Sequence, residues 1–154
     1  MTDCIFCQIA HHESPAHIFW EDDNHLAFLN IFPNTEGATV VITKEHYPSY
    51  IADAPEEVAK DFFLAATRVA KLLDQKLEDV GRTGIVFEGM GINHLHAKLF
   101  PMHGTKDVAT KWRAFPKPEI DRYFEKYEGY LSSHSSHAKA GDKELEEITK
   151  KLRG

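Results

Sequence analysis

The densest chemistry in the chain lies in Asn93-His94-Leu95-His96-Ala97-Lys98-Leu99. On a β-strand, alternate side chains share a face. His94, His96 and Lys98 would then point one way, and Leu95, Ala97 and Leu99 into a core. Three nitrogen side chains in a row form a cationic comb next to the Gly-rich turn Glu88-Gly89-Met90-Gly91. Such a comb suits an anion, phosphate above all. A neutral imidazole in it is a nucleophile once a hydrogen bond fixes its other nitrogen. The pattern by itself leaves a plain half-exposed strand open.

The second group is Cys4-Ile5-Phe6-Cys7. The chain has 2 cysteines against 10 histidines. In a reducing compartment, a C-x-x-C pair is a metal clip or a redox pair. Redox pairs follow a strand at a helix N-terminus. This pair stands at the start of the chain, which favours a metal with His supplying the remaining ligands.

Several elements must position these groups. Residues 17–20 and 25–29 flank the acidic turn 21–24 and read as a β-hairpin. Residues 38–43 form a third strand, rich in β-branched side chains. Asp53 and Glu56, with Pro55 between them, make a capping-box pattern. Val58, Phe62, Ala66, Val69 and Leu73 then mark one apolar stripe on a long helix running to about Leu77. Residues 85–87 read as a fourth strand and 94–100 as a fifth, ended by Pro101. Beyond it, 101–118 shows no clear period and 119–131 reads as a short helix. A polar linker near 132–141 leads to a frayed terminal helix over 142–152, capped by Asp142. His11, His12, His17, His25, His103, His134 and His137 read as surface residues. These elements predict an α+β fold with a mainly antiparallel sheet.

The length of 154 residues suits one core. The net charge of −6 argues against a nucleic-acid or anionic-membrane surface, because phosphate neutralisation needs clustered cations. No apolar run reaches the roughly 20 residues of a membrane helix, and the first ten residues lack a secretory pattern. A cytoplasmic protein is the expectation.

Four blocks in order resemble the histidine-triad family. They are Cys4-Ile5-Phe6-Cys7-Gln8-Ile9, the hairpin with Leu26-Ala27-Phe28-Leu29-Asn30-Ile31, Val40-Val41-Ile42-Thr43-Lys44-Glu45-His46, and His94-Leu95-His96-Ala97-Lys98 with Pro101. The resemblance covers residues 4–101. It implies a five-stranded antiparallel sheet with one long helix, the sheet extended across a homodimer. The domain would span 1–118, with 119–154 a helical extension. The activity implied is hydrolysis or nucleotidyl transfer at the α-phosphate of dinucleoside polyphosphates or phosphoramidates, purine nucleotides first among them. His96 would be the nucleophile, with its second nitrogen donating to the main-chain carbonyl of His94. Phe6, Ile9, Phe28 and Ile31 would line the base pocket. Asn30 would take the ribose, where the family usually has Asp. Main-chain N–H groups between Gly89 and Asn93 would hold the phosphoryl oxygens, and Asn93 would stand in for a missing hydroxyl. Cys4, Cys7, His46 and His94 would hold a structural zinc. Lys98 replaces the third histidine. Its ammonium would favour anionic leaving groups if it faces the phosphates, unless a neighbouring carboxylate pairs with it. That replacement also leaves a second reading, a nucleotide-binding module with little turnover.

Overall fold

Branched and aromatic residues at period two build the sheet. Its strands are β1 (Ile18–Glu21), β2 (His25–Leu29), β3 (Thr39–Thr43), β4 (Thr83–Val86) and β5 (His96–Pro101). The computed structural model describes residues 3–112 and 139–154. The strand order is β1-β2-β3-β5-β4, and every neighbouring pair is antiparallel. All five residues of β2 and of β3 are buried, because both faces of the central sheet are covered.

One face carries Ala27, Leu29, Val41, Ala97 and Leu99. Helix α2 (Glu56–Lys76) lays Phe62, Ala66, Val69 and Leu73 on it, along the predicted stripe. The capping box does not form. Ile51–Asp53 is a 3-10 turn, and α2 starts after Pro55 with no side-chain cap. The cause is local. Ala54 precedes proline and is extended, with ψ 150°, and residues before proline avoid the helical region. Asp53 therefore cannot be followed by a helical residue.

The opposite face carries Leu26, Phe28, Val40 and Ile42. A short helix absent from the sequence reading, α1 (Ile5–Ala10), covers it with Phe6, Ile9 and Ala10. Six residues are too few for a stable isolated helix, so packing holds this one in place.

The terminal helix α3 (Asp142–Arg153) is packed, not frayed. Leu145 and Leu152 join the α2-side core, and Arg153 bonds the Ile18 carbonyl. Gly141, not Asp142, occupies the cap position, and Asp142 lies in the first turn. The predicted helix 119–131, linker residues 132–138, His134 and His137 lie outside the described residues. Among the described residues, no helix is long and apolar enough to cross a membrane.

Candidate active site and metal centre

Strand β5 begins at His96, two residues later than the spacing predicts. His94 and Leu95 precede it but keep the alternation. Leu95 lies in the α2-side core and its N–H donates to the Tyr47 carbonyl at 2.9 Å. His94, His96 and Lys98 therefore face the α1 side.

His94 is fully buried. Its Nε2–H donates to the Thr43 carbonyl at 2.8 Å. A carbonyl can only accept, so the ring's free lone pair sits on Nδ1. Two sulfurs face that one atom, Cys4 Sγ and Cys7 Sγ, each at 3.5 Å. Cys7 Sγ also lies 3.3 Å from His46 Nδ1, and all four ligand atoms fall within 4.8 Å of one another. Burial pushes the His94 imidazole below its ordinary pKa. The Thr43 hydrogen bond opposes that, and His46 and His96 add to it. The four predicted ligands thus converge into a set able to hold a metal ion. It joins α1, the turn after β3 and the lead-in to β5.

His96 is also buried, with its ring 5.6 Å from the Phe6 ring in an edge-on arrangement. Its Nδ1–H donates to the His94 carbonyl at 2.7 Å. That bond leaves the Nε2 lone pair as the reactive one. Burial is the main force holding His96 below its usual pKa. The bond to His94 opposes it, Lys98 lowers the value further, and Glu88 and the Met90 backbone raise it. The neutral form is the favoured one.

Beside His96 lies a cavity of about 390 Å³, the size of small-ligand sites. Phe6, Ile9, Phe28, Asn30, Ile31, His96 and Lys98 all line it, as do Met90, Gly91 and Ile92. Asn30 Oδ1 accepts the Phe32 N–H at 2.9 Å, which leaves its amide NH₂ for a ligand. Gly89 and Asn93 are not in that lining. They tie the turn from beneath: Ser49 Oγ–H donates to the Gly89 carbonyl at 2.8 Å, and Asn93 Oδ1 accepts the Ser49 N–H at 3.1 Å. Gly89 has φ +68°, and a Cβ there would come within 3.2 Å of the Ser49 carbonyl oxygen, so glycine suits the position twice over.

A HIT domain model matches residues 11–105. The chain belongs to the HIT domain family. The match takes in all five strands and α2, but neither α1 nor α3, so Cys4, Phe6, Cys7 and Ile9 come from outside the matched span. A HIT-like protein of Methanocaldococcus jannaschii is 28% identical over 130 residues, covering 82% of this chain and 99% of the relative. The adenosine 5'-monophosphoramidase of Saccharomyces cerevisiae is 31% identical over 103 residues, 67% of this chain and 65% of the relative. Among solved structures, a zinc-bound histidine triad family protein from Mycobacterium smegmatis superposes with a TM-score of 0.67. It is 23% identical, over 98% of this chain and 91% of that one. The HIT family thus includes nucleotide hydrolases.

Several residues at this HIT site escape the sequence reading. Thr43 orients His94, and Ser49 holds the Gly-rich turn. Glu88 forms an ion pair with Lys98. The β4–β5 register, Val86 opposite Lys98, is the signal that would place Glu88 there, and it is a tertiary one. His25 is buried, not superficial. Its Nδ1 lies 3.0 Å from Asp22 Oδ1, and its ring packs 5.8 Å from that of Phe62.

Proposed function

We propose that this protein hydrolyses or transfers nucleotides at the α-phosphate through a nucleotidyl-His96 intermediate. The observation that carries this reading is the His96 Nδ1–H bond to the His94 carbonyl, 2.7 Å long, beside a cavity of nucleotide size. In the first step, the Nε2 lone pair forms a bond to the α-phosphorus. The bond from phosphorus to the leaving group breaks, and that group departs with the electron pair and takes up a proton. A water oxygen then bonds phosphorus, the P–Nε2 pair returns to His96, and the water's proton passes to solvent. Water plus substrate become a nucleoside monophosphate and the protonated leaving group. An acceptor hydroxyl in place of water gives transfer. The apolar walls of Phe6, Ile9, Phe28 and Ile31 take a base, a purine in this reading, and Asn30 takes the ribose. Main-chain N–H groups of the turn ending at Asn93 hold the phosphoryl oxygens.

Zinc fits the Cys4, Cys7, His46 and His94 set. A tetrahedral ion at ordinary Zn–S and Zn–N lengths sets sulfur–nitrogen edges of about 3.5 Å. Three of the four sulfur–nitrogen separations are 3.3 to 3.5 Å, and all four ligand atoms lie within 4.8 Å of one another. Its contribution would be structural, tying α1 to the strand that carries His96. A homodimer is supported by the edge position of β4 and by the exposed Phe63 and Leu64 of α2. The cytoplasm is its proposed compartment.

The test is mass spectrometry of protein quenched during turnover of adenosine 5'-monophosphoramidate. A nucleotidyl adduct mapping to His96 is expected. AMP release without an adduct, or an adduct on another residue, would reject the mechanism.

A further inference from the structure

Glu88 is an acid at the site that the proposed chemistry does not use. It follows β4, whose last residue Val86 pairs with Lys98. That register brings its carboxylate onto Lys98 Nζ, with the two side chains only 14% and 20% exposed. The cation beside His96 is therefore one half of a sheltered ion pair. Lys98 also lines the cavity that His96 faces.

We propose that Glu88 determines specificity: by holding Lys98, it limits how much negative charge the pocket accepts beyond the first phosphate. This rests on the nucleotide reading above. The physical reason is the range of a paired charge. A second phosphate approaching a lone ammonium in a partly dry cleft is strongly attracted. Approaching an ammonium already in contact with a carboxylate, it meets both signs at similar distances, and the attractions largely cancel. The site then selects by the nucleoside and its first phosphate, and substrates whose leaving group carries no further negative charge are not at a disadvantage. The expected preference of Lys98 for anionic leaving groups is cancelled by its partner.

The experiment is calorimetric titration with AMP and with adenosine α,β-methylene diphosphate, whose bridging carbon blocks cleavage, at one fixed ionic strength. The quantity read is the ratio of the two affinities within each variant. In the unaltered protein the diphosphate should bind no more than about three-fold tighter than AMP. Glu88→Gln keeps the shape and an acceptor for Lys98 but removes the opposing negative charge, and should raise the ratio about ten-fold. Lys98→Met removes the cation of the pair and keeps the carboxylate, and should lower the ratio by a similar factor. It serves as the independent arm if the first variant folds poorly. The double variant should return to the starting ratio. Single variants with native circular dichroism and ratios within two-fold of the unaltered protein would overturn the role of Glu88 alone. Failure of the unaltered protein to bind either compound would overturn the nucleotide reading and this inference with it.

Discussion

At the scale of single residues, the orientation of His96 is set by a relay from the lead-in to its strand back to β3. The His94 carbonyl fixes one ring nitrogen, and His94 is itself fixed through Thr43. Replacing His96 by Ala should lower kcat/KM for adenosine 5'-monophosphoramidate by roughly 10³-fold or more, as expected for a covalent nucleophile. AMP affinity should stay within a few-fold, since apolar walls and Asn30 remain. Near-native turnover in the variant would show that the nucleophile lies elsewhere. A second residue, His103, clamps the loop after β5. Its Nδ1 lies 2.8 Å from Asp79 Oδ1, and Nε2–H donates to the Glu36 carbonyl at 2.9 Å. Both ring nitrogens face acceptors, which favours the imidazolium. Partial burial pulls His103 down, yet the Glu36 carbonyl and Asp79 together hold it above its usual 6.5. The hydrogen bond from His103 holds Asp79 below its usual 3.8. The raised histidine contributes stability that is full below 6.5 and is lost as pH rises through its folded value. The lowered aspartate contributes above 3.8 and loses its share as pH falls through its folded value. Melting temperatures at about pH 5.5 and pH 8.5 should therefore differ more in the unaltered protein than in His103→Asn. Equal differences would mean that the clamp carries no charge.

At the scale of elements, α1 is the piece that cannot stand alone. It carries Cys7 and the Phe6 ring that packs on His96, and Cys4, a second proposed zinc ligand, stands at its N-cap position. Metal binding and the docking of α1 are then one equilibrium. Protein purified without added metal should hold close to one zinc per chain by elemental analysis. Cys7→Ser should lower that content and the melting temperature together, and a strong chelator should reproduce the loss in the unaltered protein. Metal-free protein with both thiols fully titratable would sink the assignment.

At the scale of the whole molecule, α2 covers one sheet face, α1 covers the other, and β4 is left at an edge. Among the described residues no strand lies beyond β4, and an open edge strand invites pairing with a second chain. The adjoining α2 surface exposes Phe63 at 52% and Leu64 at 49%, and Phe63 stacks on Phe87 just past the end of β4. Continuity of an apolar helix face with a strand edge is what a two-fold interface needs. Light scattering should find a dimer of the unaltered chain, and Phe63→Glu should convert it to a monomer. A monomer before any substitution would remove the proposal.

Short-range patterns carried much of this protein in the sequence alone. The period-two runs placed β1 to β3 and β5 within two residues, and the stripe from Val58 to Leu73 placed α2. Alternation put His94, His96 and Lys98 on one face whatever the exact start of β5, because a strand's side-chain period does not depend on its ends. The C-x-x-C pair was legible as a metal clip by type, and His46 and His94 as its partners only through the resemblance to the histidine-triad family. Contacts across the chain decided the rest. Six residues are too short to display a helical period, so α1 exists through the sheet it covers. The capping box gave way to the backbone restriction that Pro55 places on Ala54. His25 is buried because α2 lies over β2, a fact of layering. Glu88 reached Lys98 only because β4 and β5 pair in one register, and local sequence contains no term for a partner brought in from another strand.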